Sequence, residues 1–118
     1  MMLQELVGNY SVIGRNQDAE SSTYQGTVSL AIDDNDRIDA NWLINGTQKQ
    51  IGKGFFKDNI LVINFNYKSD NKTFKGVVVY KCISKDVLEG FWSEKHGDPN
   101  FIGEERCFRT DKLKEVVN

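Results

Sequence analysis

Apolar side chains recur at every second residue along most of this chain, and a period of two admits sheets and little else. Between Thr23 and Ile32 the larger apolar groups occupy even positions, Tyr24, Val28, Leu30 and Ile32. Small or polar groups occupy the odd ones, which is the pattern of a strand with one face buried. Asp33-Asp34-Asn35-Asp36 then reads as a turn, because short acceptor side chains bond nearby backbone and favour reversal. The alternation resumes through Ile38, Ala40, Trp42 and Ile44, stops at the turn signal Asn45-Gly46, and continues in a strand over residues 51–56.

The same sentence is repeated fifty residues later. Tyr24-Gln25-Gly26-x-Val28 corresponds to Phe74-Lys75-Gly76-x-Val78, and Asp36-x-Ile38-Asp39-Ala40-x-Trp42 to Asp86-x-Leu88-Glu89-Gly90-x-Trp92. Nine of the fifty aligned positions are identical, and the conservative matches beside them favour an internal duplication. The second copy predicts strands over residues 59–67, 73–83, 87–93 and 102–108.

Eight short strands joined as a meander leave two sheet edges, which are hidden most simply by closing the last strand onto the first. The expected fold is all-β, an eight-stranded antiparallel up-and-down barrel with pseudo-twofold symmetry. The 118 residues form one domain, with the barrel over about residues 6–109 and a tail at 110–118 whose end, Lys112 to Val117, has helical amphipathicity. An interior of this size is either filled by side chains or holds one small ligand. Gly26, Gly76 and Gly90 fit both readings, since they make room for neighbouring aromatics or empty a pocket.

Composition excludes several functions. A net charge of -2 and a pI near 5.4 supply no basic stripe for nucleic acid. No basic segment followed by an apolar stretch opens the chain, and no run of 18 apolar residues occurs, so no membrane span and a cytoplasmic location are expected. Cys82 and Cys107 are separated by one strand in the predicted order, too far apart for a disulfide, and read as core thiols. His96, the single histidine, has no ligand neighbours at metal spacing. Neither a metal site nor a cofactor is expected, and no nucleophile or phosphate-loop motif is present.

Leu6-Val7-Gly8-Asn9-Tyr10, followed by a meander of this size and an arginine on the last strand, resembles the calycin barrels, the group containing lipocalins, fatty-acid-binding proteins and avidins. In that group a Gly-x-Trp opens the first strand and a last-strand arginine packs over its ring. The resemblance therefore implies Gly8-x-Tyr10 with Arg106 or Arg109 as the counterpart, Tyr standing for Trp. Asp86 to Trp92 also looks like an avidin-type seventh strand. The biotin chemistry does not carry over, because Ser11-Val12-Ile13-Gly14-Arg15 stands where avidins place Asn-x-x-x-Ser.

Gly103-Glu104-Glu105-Arg106-Cys107 is the polar spot with most chemical potential. One parity turns Gly103, Glu105 and Cys107 inward and the other turns Glu104 and Arg106 inward, so either buries a glutamate. A buried carboxylate needs a partner, and Tyr10, Tyr24 or Tyr80 can supply one. The result is a clasp that closes the barrel, a recognition group, or an acid for catalysis. The pocket candidates are Tyr24, Trp42, Tyr80, Trp92 and Glu105, arranged for a small apolar or aromatic ligand and more in keeping with a binder than an enzyme. A filled barrel serving protein partners and a cyclase-type or isomerase-type barrel are the alternatives. Outside, Thr27, Ser29, Arg37 and Asn41 of the first copy become Val77, Val79, Val87 and Phe91 in the second. This apolar wall, which Leu61, Ile63 and Phe65 could extend, predicts a homodimer through strands five to seven, or else a docking place for Leu113, Val116 and Val117.

Overall fold

The strands follow one another around a ring and close it. The computed structural model describes residues 1–111. A 3-10 turn at Leu3–Leu6 precedes β1 (Gly8–Arg15), β2 (Thr23–Ile32), β3 (Ile38–Ile44), β4 (Gln48–Lys57), β5 (Ile60–Ser69), β6 (Lys72–Ser84), β7 (Val87–Glu94) and β8 (Gly103–Arg109). Every neighbour pairs antiparallel, and β8 returns to β1 from Tyr10↔Arg109 to Arg15↔Glu104. No edge remains, as an up-and-down barrel requires. No helix among the described residues is long and apolar enough to cross a membrane.

Local chemistry explains the tight connections. Asp58-Asn59 and Asp70-Asn71 form two-residue links with φ of 51° and 64°, and 51° and 62°. Two consecutive positive φ values match the right-handed twist of the flanking strands, and Asn and Asp tolerate that region better than other side chains.

The fifty-residue echo extends to pairing in one hairpin of each half. Val28↔Trp42 of β2–β3 is carried onto Val78↔Trp92 of β6–β7. The β1–β2 pair Val12↔Gly26 would be carried to Val62↔Gly76, but Gly76 pairs with Phe65. The offset therefore relates these hairpins and not the halves as wholes.

The inward set consists of even positions on β1 to β4, β6 and β7 and odd ones on β5 and β8. Leu61, Ile63 and Phe65 are buried in the core, so they do not extend the outer wall as the sequence suggested. Their strand is apolar on both faces, and pairing such as Ile63↔Gly54 and Ile63↔Val78 sets its parity. On β8, Gly103, Glu105 and Cys107 point inward and Glu104 and Arg106 outward. Cys82 and Cys107 are free, buried, and each opposite Leu88 of β7.

Glycine opposite aromatic is the recurring packing device. Gly14 pairs with Tyr24, Gly76 with Phe65, Gly90 with Tyr80 and Gly103 with Trp92. A Cβ on these glycines would lie 2.1, 2.4, 2.8 and 2.1 Å from the partner ring, so each ring lies across the gap its glycine leaves. Gly26 is different, since no ring is among its nearest neighbours and its Cβ would meet the backbone oxygen of Leu43 at 2.3 Å.

One barrel end is shut. Leu6 plugs it, and Tyr10 Oη donates to Leu6 O at 2.8 Å. Arg109 lies over the Tyr10 ring, 4.8 Å from its centroid, and donates to Val7 O at 2.9 Å and Lys85 O at 3.0 Å. Burial raises the Tyr10 phenol to about 12 despite the opposing charge of Arg109. Arg109 thus takes the place over the aromatic that the resemblance left open, while Arg106 lies outside and pairs with Glu89 at 2.7 Å. The tail residues Leu113, Val116 and Val117 lie outside the described residues.

Candidate functional site

At the opposite end the interior is not filled. A cavity of about 280 Å³ is walled by Tyr24, Trp42, Phe65 and Trp92, with Ile44 and Val78 between them. Half-buried Asn16, Gln48, Gln50, Tyr67 and Glu94 form its rim together with exposed Asn45, and Glu105 lies at its base. The rings meet mostly edge to face: Trp42 with Phe65 at 6.2 Å and 66°, Phe65 with Trp92 at 6.3 Å and 84°, Tyr24 with Trp92 at 6.4 Å and 61°. Such contacts fix the rings relative to one another. At the rim Tyr67 stacks on Phe74 at 5.2 Å. Phe74, which the fifty-residue match aligns with inward Tyr24, is partly exposed there.

The base is a closed polar cluster. Glu105 is 6% exposed and accepts from Tyr24 Oη at 2.7 Å, from Tyr80 Oη, and weakly from Cys107 Sγ at 3.9 Å. Burial pushes the Glu105 carboxyl above its ordinary range, against the downward pull of hydrogen bonds from Tyr80, Tyr24, Trp42 and Cys107. Burial, reinforced by Glu105, also holds the Tyr24 phenol and the Cys107 thiol well above their usual ranges. The phenols therefore keep their protons and donate to the carboxyl. Near the mouth Tyr67 Oη donates to Glu94. The indole N–H of Trp92 is buried, makes no hydrogen bond of full geometry among the described residues, and has the Tyr24 phenol as a near neighbour.

The mouth is held from a distance in sequence. Gln17, between β1 and β2, donates through Nε2 to Ser93 Oγ at 3.0 Å and to Phe101 O at 3.0 Å, and its Oε1 accepts the Glu94 N–H at 3.0 Å. It ties the β7–β8 loop to the rim.

Designed barrels share this fold. A redesigned β-barrel superposes with a TM-score of 0.76 at 16% identity, over 92% of this chain and 95% of that one. A second, mFAP1, solved bound to DFHBI, gives 0.70 at 20% identity over 91% and 97%. A de novo fluorescence-activating barrel gives 0.70 at 14% identity over 93% and 100%. No protein-family model matches the chain, and no curated protein does.

Of the candidates named from sequence, Tyr24, Trp42, Trp92 and Glu105 come together around the cavity, whereas Tyr80 lies beneath it as a donor to Glu105. Phe65, Tyr67 and Glu94 were not singled out for the site. Phe65 and Tyr67 share the ambiguous β5, and Glu94 ends β7 with no neighbour in sequence to mark it. His96 is exposed in the β7–β8 loop. No group of three or more His, Cys, Asp or Glu is placed for a metal among the described residues. Outside, Val77 is 36% and Phe91 49% exposed, with Val79 and Val87 half-buried. Phe55, Val62, Val79 and Phe91 are paired in succession across β4 to β7, forming one apolar row.

Proposed function

We propose that this calycin-like barrel binds one small aromatic or apolar molecule in its open end, without transforming it. The carrying observation is the cavity of about 280 Å³, walled by aromatic rings and based on a buried, hydrogen-bonded carboxyl. A concave space with aromatic walls and a polar rim is a form that small-molecule sites take. Tyr24, Trp42 and Trp92 stack on the ligand, Glu105 orients it, Tyr80 fixes Glu105, and the Trp92 N–H meets an acceptor on it. Two designed barrels of this fold were solved with the small aromatic dye DFHBI bound, which supports the reading by analogy of shape. The chain's two tryptophans both line the cavity, so intrinsic fluorescence reports on it directly. Titration with uncharged aromatics of one or two rings is expected to give saturable quenching that Val78→Phe, which fills the cavity, abolishes. Unsaturable quenching by every probe, or unchanged binding in Val78→Phe, overturns the proposal.

We also propose a homodimer through the outer faces of β5 to β7, centred on Val77, Val79, Val87 and Phe91. The continuous outer row favours a second copy, since an apolar patch of this kind is costly to leave in water. Sedimentation is expected to show a dimer that Phe91→Lys converts to monomer. A monomeric mass for the unchanged protein rejects it.

A further inference from the structure

We infer that the cavity selects an organic cation, a small molecule carrying a protonated or quaternary amine, over a neutral molecule of the same shape. The inference rests on the binding proposal above and sharpens its ligand class. Five aromatic side chains line the space together with two carboxyl side chains, Glu94 and Glu105, and no Lys, Arg or His is among the lining residues. Aromatic faces carry negative potential, and several of them around one point attract a cation, most strongly where water is excluded. The Trp42, Phe65 and Trp92 rings meet at angles of 66° and 84°, while Phe65 and Tyr67 lie nearly parallel at 9°, so the aromatic walls surround the space from several directions.

Charge placement points the same way. Glu94 stands at the mouth, where Tyr67 Oη and the Gln17 amide fix its side chain and backbone. Glu105 lies deep, with Tyr24 and Tyr80 already donating to it. An anion entering would meet the Glu94 carboxyl at the mouth, with only neutral amides, phenols and one indole N–H as donors. A cation meets the rim carboxylate first, loses its water against the rings, and needs no hydrogen-bond acceptor if its nitrogen is fully alkylated. The space lies inside the barrel, below the rim, so it takes a free small molecule and not a headgroup still held in a bilayer.

A matched pair of probes tests this: phenyltrimethylammonium and its uncharged carbon isostere tert-butylbenzene, titrated into the full chain and followed by tryptophan fluorescence. Preference for the cation is expected to be about tenfold or more, the size of a desolvated cation–π interaction. Glu94→Gln, with its circular dichroism unchanged, is expected to remove the carboxylate's share of that preference and to leave the share held by the rings. In the unchanged protein the cation's affinity falls with added salt while the isostere's does not, a reading that stands should Glu94→Gln fail to fold. Equal or tighter binding of tert-butylbenzene overturns the cation inference and leaves the binding proposal standing. Saturable binding of neither probe overturns both. Quenching by phosphatidylcholine vesicles as strong as by the free ion overturns the assignment to a small free molecule.

Discussion

Tyr24 of β2 and Glu105 of β8 meet across the barrel interior, phenol oxygen to carboxyl oxygen at 2.7 Å, above the cluster that separates the cavity from the core. Because burial raises the Glu105 carboxyl, the folded chain holds a proton there that the unfolded chain releases near 4.5. Between that value and the raised one the folded state binds more protons, so its stability falls as pH rises through the window and levels off above it. Glu105→Gln removes the titration and keeps the shape. The stability of the Gln variant relative to the unchanged protein is therefore expected to improve from pH 4.5 upward, in paired urea melts. A difference that does not change with pH contradicts a raised carboxyl.

Arg109 closes the other end with a geometry that a lysine cannot copy. Its Nη1 reaches Val7 O at 2.9 Å, its Nε reaches Lys85 O at 3.0 Å, and its Nη2 reaches Tyr10 Oη at 2.7 Å, while its side chain is only 8% exposed. A planar fork satisfies these separate acceptors at once; an ammonium satisfies fewer. Arg109→Lys is expected to cost about 1–3 kcal/mol in chemical unfolding, as for other buried groups that lose charged partners. Amide exchange at residues 3–7 should quicken, and unchanged exchange there would mean that the 3-10 turn holds without the arginine.

Gln17 is expected to govern the mouth more than the core. Replacing it by Ala removes the bonds to Ser93, Phe101 and the Glu94 N–H, at about 1–2 kcal/mol in total after solvent replaces them. Exchange and proteolysis should rise in residues 95–102 and stay constant in β5 and β6, because the loop opens locally. Gly97→Ala should act alike, since its Cβ would lie 2.2 Å from Gln17 Oε1.

These sites differ in how legible they were. Tyr24 and Trp42 were readable because their strands alternate polar and apolar, and Trp92, whose strand is apolar outside at Val87 and Phe91 as well, because the fifty-residue match aligns it with Trp42. Glu105 was readable only as one of two choices, since Glu104 and Arg106 make an equally alternating set, and pairing with β1 through Gly14↔Glu105 decides between them. Leu61, Val62 and Ile63 are apolar on both faces, and their strand's orientation comes from its neighbours and not from its own composition. That hid Phe65 and Tyr67 from the site and moved Leu61, Ile63 and Phe65 from the supposed outer wall to the core. Gln17 could not be read at all, because its partner Ser93 is 76 residues away and the turn between β1 and β2 carries no mark of it.

The pairing of Trp92 with Gly103 offers the sharpest check on how the cavity is shaped. A Cβ at 103 would lie 2.1 Å from Cε2 of the indole, which is closer than atoms pack, so the ring must move away from β8 and toward the cavity. Gly103→Ala alone is expected to cost about 1–3 kcal/mol, to shift the tryptophan emission, and to weaken binding of any cavity ligand. Trp92→Phe presents a smaller ring to the same strand, so the combined variant should be more stable than the two separate losses add up to. A double-mutant cycle on urea unfolding measures this directly, and the expected coupling is favourable by about 1 kcal/mol or more. Strictly additive losses would mean that the indole does not rest on the glycine, and that the wall of the cavity beside β8 is held by other contacts.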